Sequence, residues 1–168
     1  MSSAYTEQLV KKSSTMGQMT LRAAAIVAGI VITYILLVLV GIVSLVAAFA
    51  IIYGIYYLFV MTDIEYEYTL VNGELNIDTV YGRNKRKHSG TYDLRKCEFI
   101  ASADSSAAAM YGKSSQMKTM DFTSGNGSEG VYLMVTAYGA GNARIYFEPN
   151  EEMVTAMKSQ APGKFKEY

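Results

Sequence analysis

The 168-residue chain carries 15 acidic and 15 basic residues, and a formal net charge of zero gives no whole-molecule field that would steer it to nucleic acid. Its single cysteine, Cys97, excludes an internal disulfide and fits a reducing compartment. About forty apolar residues fall in one block, which leaves room for one membrane segment and one small domain.

Residues 1–22 form a mostly polar N-terminal segment with Lys11, Lys12 and Arg22, expected on the cytosolic side. The block from Ala23 to Met61 follows without a charge. As one straight helix it would rise about 58 Å, roughly twice the hydrocarbon thickness of a bilayer, and it far exceeds the 7 to 15 residues or so of a signal-peptide core. The expectation is therefore a transmembrane helical hairpin over 23–61 with a tight turn near 41–44, at Gly41-Ile42-Val43-Ser44. Positive charge flanks both ends, Lys11, Lys12 and Arg22 before it and Arg83, Lys85, Arg86 and Lys87 after it, so both termini are expected in the cytosol of a multi-pass protein. Gly29 and Gly54 lie about equally far from the turn and each ends a small-xxx-small step, which predicts that they meet. Tyr53, Tyr56 and Tyr57 read as a belt at the headgroup boundary.

Residues 62–161 read as one soluble α+β domain. Ile64, Tyr66, Tyr68 and Leu70 alternate with Glu65, Glu67 and Thr69, the period-two pattern of a half-buried strand. Asn72-Gly73 predicts a two-residue type I′ turn, after which Leu75, Ile77, Thr79 and Tyr81 continue the inward face. Only Thr62 and Asp63 separate the apolar block from this strand, so the domain is expected close to the bilayer. A turn at Gly82-Arg83-Asn84 leads to a polar strand, and a short strand is expected around Cys97 to Ile100. Ser102 to Ser115, rich in Ser, Ala and Gly, reads as a long mobile loop or edge segment, and Met117 to Thr123 as one more strand. A second hairpin runs from Val131 through Gly139-Ala140-Gly141-Asn142 to Phe147. Asn150 is the expected N-cap of a last helix with Glu151 and Glu152 in its first turn, a buried stripe of Met153, Val154 and Met157, and a stop at Pro162-Gly163. Residues 162–168 form a charged tail in which Phe165 is the apolar residue expected to dock. The order is a helical hairpin, six or seven antiparallel strands, then one helix.

Three stretches carry a resemblance: Glu67 to Ile77, the basic segment after it, and Phe147-Glu148-Pro149-Asn150-Glu151-Glu152 leading into the last helix. On these, residues 64–159 resemble the bacterial pleckstrin-homology-like (PH-like) domains that follow paired membrane helices in small membrane proteins. The resemblance implies a bent antiparallel sheet capped by the C-terminal helix, in a class used for binding more often than for catalysis. The inositol-phosphate site of eukaryotic relatives does not transfer, because the first hairpin is acidic at Glu65, Glu67, Glu74 and Asp78.

Arg83, Lys85, Arg86, Lys87 and His88 form the dense charge run, and Arg83, Lys85, Arg86 and Lys87 are candidates for anionic-lipid contact; strand alternation sets Lys85 and Lys87 on one side and Arg86 and His88 on the other. The competing reading is a solvated hairpin that only enforces topology. Glu65, Glu67 and Asp78 are expected together on a solvent face, not as a catalytic carboxylate pair. Gly125-Asn126-Gly127-Ser128-Glu129-Gly130 has the letters of a dinucleotide fingerprint, but a strand follows where that motif needs a helix. With one histidine and one cysteine, no His/Cys zinc site can be assembled in one chain, and Cys97 reads as a small buried residue. No cofactor and no catalysis are expected. The leading functional expectation is a membrane-anchored interaction or scaffold module docking a protein partner or its own copies through Tyr132, Tyr138 and Tyr146. The alternatives are anionic-lipid sensing through Arg83 to His88, or an accessory subunit of a membrane enzyme or transporter.

Overall fold

In the computed structural model the protein is described over residues 5–112, 117–127, 130–139 and 141–166. It divides into two compact units, one drawn from Ser14–Ile64 and Tyr81–Lys85, the other from Met1–Ser13, Glu65–Val80 and Arg86–Tyr168.

The first unit is built from two apolar helices, α1 (Met16–Val40) and α2 (Ser44–Thr62), joined by a 3-10 turn at Gly41–Val43. Thr15 starts α1 with a reciprocal cap: its hydroxyl accepts from the Gln18 amide while the Gln18 side chain accepts from the Thr15 amide. The whole stretch Met16–Thr62 is 47 residues long, with a window of mean hydropathy 3.2, and is long and apolar enough to cross a membrane. Its large side chains are exposed and not packed into a core, Val38, Leu39, Val46 and Phe49 each being more than 65% accessible. Polar side chains along it bond inward to the helices' own carbonyls, Thr33 to Gly29, Ser44 to Gly41 and Thr62 to Leu58, as an apolar solvent requires.

The two helices pack on each other, but not as the small residues predict. A Cβ on Gly29 would lie 2.8 Å from Ile55 and 3.0 Å from Ile51, whereas a Cβ on Gly54 would meet nothing within 4 Å. Ile51 and Ile55 share one helical face, and Gly54 is turned about 100° away from Ile55, so Gly29 of α1 receives isoleucines and Gly54 of α2 looks outward.

The second unit holds two sheets. Strands β1 (Tyr5–Lys11), β2 (Ile64–Val71), β3 (Glu74–Tyr81) and β4 (Lys85–Asp93) follow one another in the first. The second, in the order β6-β8-β7-β5-β9, comprises β5 (Phe99–Ser102), β6 (Lys118–Asp121), β7 (Tyr132–Tyr138), β8 (Gly141–Phe147) and β9 (Phe165–Lys166), and a short helix α3 (Ser106–Gly112) and the C-terminal helix α4 (Glu151–Gln160) complete the unit. Tyr68, Leu70, Leu75, Ile77, Phe99, Leu133, Ile145, Phe147 and Met153 are fully buried. Asn72 and Gly73 take the positive φ values, 51° and 85°, that a type I′ turn needs. Asn150 caps α4 by accepting from the Met153 amide, and Met153 and Met157 are its buried stripe.

Four features depart from the sequence expectation. Residues 5–11 are not part of a separate N-terminal segment: β1 pairs antiparallel with β2, Val10 opposite Tyr66 and Thr6 opposite Leu70. Its inward face is Thr6, Gln8 and Val10, too polar to register as a strand, and Gln8 is there to hydrogen-bond, donating to the Glu148 carbonyl at 2.8 Å and accepting from the Asn150 amide at 2.7 Å. The tail adds β9, parallel to β5, and β6 is parallel to β8, so the strands number nine among the described residues and are not all antiparallel. Within Ser102 to Ser115 lies α3, whose Ala108 is buried on Phe99, Ala101, Leu133 and Val135, while its Tyr111 ring lies tilted against Phe99 with centroids 4.7 Å apart; residues 113–116 lie outside the described residues. Glu67, expected in solvent, is 6% accessible.

Candidate functional site

The turn between β3 and β4 belongs to the helical unit. Gly82 and Arg83 both have positive φ, 54° and 63°, and the Gly82 amide donates to the Asp63 carbonyl, 2.8 Å away, just past the end of α2. A Cβ at Gly82 would lie 2.5 Å from Val60 Cγ1, so only glycine lets the turn sit this close to the helix. Arg22, in the second turn of α1, reaches the same end: its Nε donates to Thr62 Oγ1 at 2.9 Å, and its guanidinium lies 5.0 Å from the Phe59 ring. Arg22 and the turn bearing Arg83 and Lys85 thus gather at the Thr62 end of the helix pair, where the last carbonyls of α2 favour positive charge. Tyr53, Tyr56 and Tyr57 are exposed on α2 within ten residues of that end.

The rest of the basic run belongs to the sheet unit, on β4. Strand alternation holds as expected: Arg86 lies 3.0 Å from Glu67 and His88 Nδ1 2.7 Å from Asp78 Oδ1, while Lys87 is exposed. Thr91 donates to Asn76 Oδ1 at 2.6 Å and lies 3.3 Å from His88 Nε2. The Glu67 carboxyl is held above the ordinary glutamate range by burial, with Arg86 pulling it down and Glu7 raising it.

The three tyrosines proposed as a docking surface do not form one patch. Tyr132 and Tyr138 lie on one face of β7, whereas Tyr146 pairs opposite Leu133 and packs on the cluster of Phe99, Leu133 and Val135, on the other face of the sheet. Tyr132 is half-buried between Phe147 and Phe165, with ring centroids 6.3 and 6.4 Å away. Tyr138 is 45% accessible and sits under Lys118, whose ammonium is 4.5 Å from the ring centroid. Tyr146 instead borders a cleft of about 430 Å³ together with Thr119, Asp121, Thr123 and Glu148. Two of its carboxylates are already used, Asp121 accepting from Thr123 and Glu148 from Ser124.

Cys97 is 1% accessible, its thiol donates to the Leu94 carbonyl, and burial pushes it up to about 11, which describes an inert interior residue. In the glycine-rich loop Ser128 and Glu129 lie outside the described residues, and the element that follows is the strand β7.

Two sheets and a C-terminal helix follow an apolar helical stretch along the chain, and the family model described as "Bacterial PH-like domain (DUF6106)" matches residues 2–167. The chain belongs to this family. The matched span includes both apolar helices as well as β1 and β9. No curated protein and no solved structure matches the chain.

Proposed function

We propose that this bacterial PH-like protein is a non-catalytic, membrane-anchored binding module whose basic β3–β4 turn meets anionic lipid headgroups at the cytosolic face. The observation that carries the reading is the fastening of Gly82 to Asp63 and Val60, which holds Arg83 and Lys85 at the end of an apolar helix. If that helix ends at the bilayer boundary, each basic residue gains about 1 kcal/mol from an anionic leaflet. The membrane segment itself is read as two crossings. A straight helix of 47 residues would be about 70 Å long, whereas α1 from Ala23 onward and α2 each come to about 28 Å, one hydrocarbon thickness apiece. Two crossings place Arg22, Arg83 and Lys85 on one side, which the positive-inside rule makes the cytosol.

Docking of a protein partner through Tyr132, Tyr138 and Tyr146 has less support, because Tyr146 faces away from the other two. The test compares hydrogen exchange of the full chain in nanodiscs of phosphatidylcholine alone and of phosphatidylcholine with phosphatidylglycerol. Amides of residues 82–87 are expected to exchange more slowly in the anionic discs, and the double variant R83E/K85E to lose that difference. Equal exchange in both lipids would refute the headgroup contact and return the docking reading to first place.

A further inference from the structure

The ion pair between Arg86 and Glu67 has an unequal geometry. Glu67 sits on β2 between β1 and β3 and is 6% accessible, yet the guanidinium that neutralises it comes from β4, across β3, and its side chain is 65% exposed. The 3.0 Å approach is too far off line for a good hydrogen bond, so the contact is chiefly Coulombic and the buried oxygen has no other partner. Ordinary surface pairs expose both members. Here one member is fixed in the sheet and the other can leave through solvent.

Glu67 is also crowded by its own kind. Glu7 on β1, which accepts from the Tyr5 hydroxyl at 2.5 Å, and Asp78 on β3 both raise the Glu67 carboxyl, and His88 on β4 is paired with that Asp78. Lys11 of β1 and Glu65 of β2 are opposite each other in the register, two residues further along. Without Arg86, Glu67 would be a buried carboxylate beside two others, a state that two carboxyls in contact relieve by taking up a proton.

We propose that Glu67 is an internal competitor for Arg86, so that an anionic headgroup taking the guanidinium leaves Glu67 to bind a proton and phospholipid engagement is coupled to proton uptake. This rests on the lipid reading above, since Arg86 follows Lys85 directly in the chain. The sign follows from linkage. Losing Arg86 moves the Glu67 carboxyl further above its ordinary range, the lipid-bound form holds more protons, and affinity rises as pH falls, by up to about tenfold per pH unit for one proton. His88, paired with Asp78 on β4, has to be separated from Glu67.

The experiment titrates the full chain in a neutral detergent with dioctanoyl-phosphatidylglycerol between pH 8 and pH 5, with dioctanoyl-phosphatidylcholine as the uncharged control. Wild type is expected to prefer phosphatidylglycerol increasingly toward pH 5. Glu67→Gln, which keeps the shape and removes the competitor, should bind at least about threefold tighter at pH 8 and lose most of the pH slope. His88→Gln should keep that slope. A slope unchanged in Glu67→Gln, or one abolished only by His88→Gln, would overturn the coupling while leaving the lipid reading intact. Absence of any preference for phosphatidylglycerol in every form and at every pH would overturn both. If Glu67→Gln does not fold, Arg86→Gln decides: weaker binding with a flat pH response supports the competition, and an unaltered slope refutes it.

Discussion

At the scale of single residues, Gly29 and Gly54 of the apolar stretch make opposite demands. Gly29 is pressed against Ile51 and Ile55, so a side chain there forces the helices apart, while Gly54 has open space beside it. Gly29→Leu is expected to destabilise the helix pair by about 1–3 kcal/mol, the usual range for overpacking, and Gly54→Leu to leave it within error of wild type. Thermal unfolding of the detergent-solubilised chain, followed by far-UV circular dichroism, reads the contrast. Equal losses in the two variants would mean that both glycines lie in the interface, as a spacing argument alone predicts. Spacing finds small residues but not the angle at which each faces its neighbour, and that angle is set by the packing of Ile51 and Ile55. Glu67 was illegible for a related reason. Alternation assigns it to the outward face correctly, but a residue on a central strand is covered by its neighbours, and β1 could not be seen as one of them.

At the scale of elements, legibility follows local signal strength. Asn72-Gly73 between two alternating runs and the apolar alternation of β7 and β8 predict both hairpins, and Asn150 with two glutamates after it predicts the start of α4. Strands β1 and β9 carry no such signal, since the first has Gln8 on its inner face and the second is two residues long. Yet β1 matters to the domain, because it covers the edge of β2 and ties β2 to the head of α4 through the two Gln8 hydrogen bonds. Gln8→Ala removes both hydrogen bonds, an expected cost of about 1–3 kcal/mol. Deleting residues 1–11 should go further, opening a strand of eight residues to intermolecular pairing. Chemical denaturation of the Gln8 variant and size-exclusion chromatography of the truncation check these expectations. A truncated chain that elutes and melts like wild type would show β1 to be dispensable.

At the scale of the whole molecule, the question is on which side of the bilayer each end of the chain emerges. Cys97, the natural thiol, is a poor reporter, being 1% accessible with its thiol near 11, so it is first replaced by alanine. Single cysteines are then placed at Ser14, at Ile42 in the connecting turn and at Ser159 on α4, all exposed positions. Two crossings predict that a membrane-impermeant maleimide added to intact cells labels only the Ile42→Cys variant, and that inverted vesicles label Ser14→Cys and Ser159→Cys in its place. A single crossing puts Ser14 and Ser159 on opposite sides and breaks that pattern, and with it the placement of Arg83 and Lys85 beside cytosolic lipid. The physical basis of the expectation is length together with charge: α1 from Ala23 onward and α2 each match one hydrocarbon thickness, the pair run straight exceeds two, and Arg22 in α1 already hydrogen-bonds the threonine that ends α2.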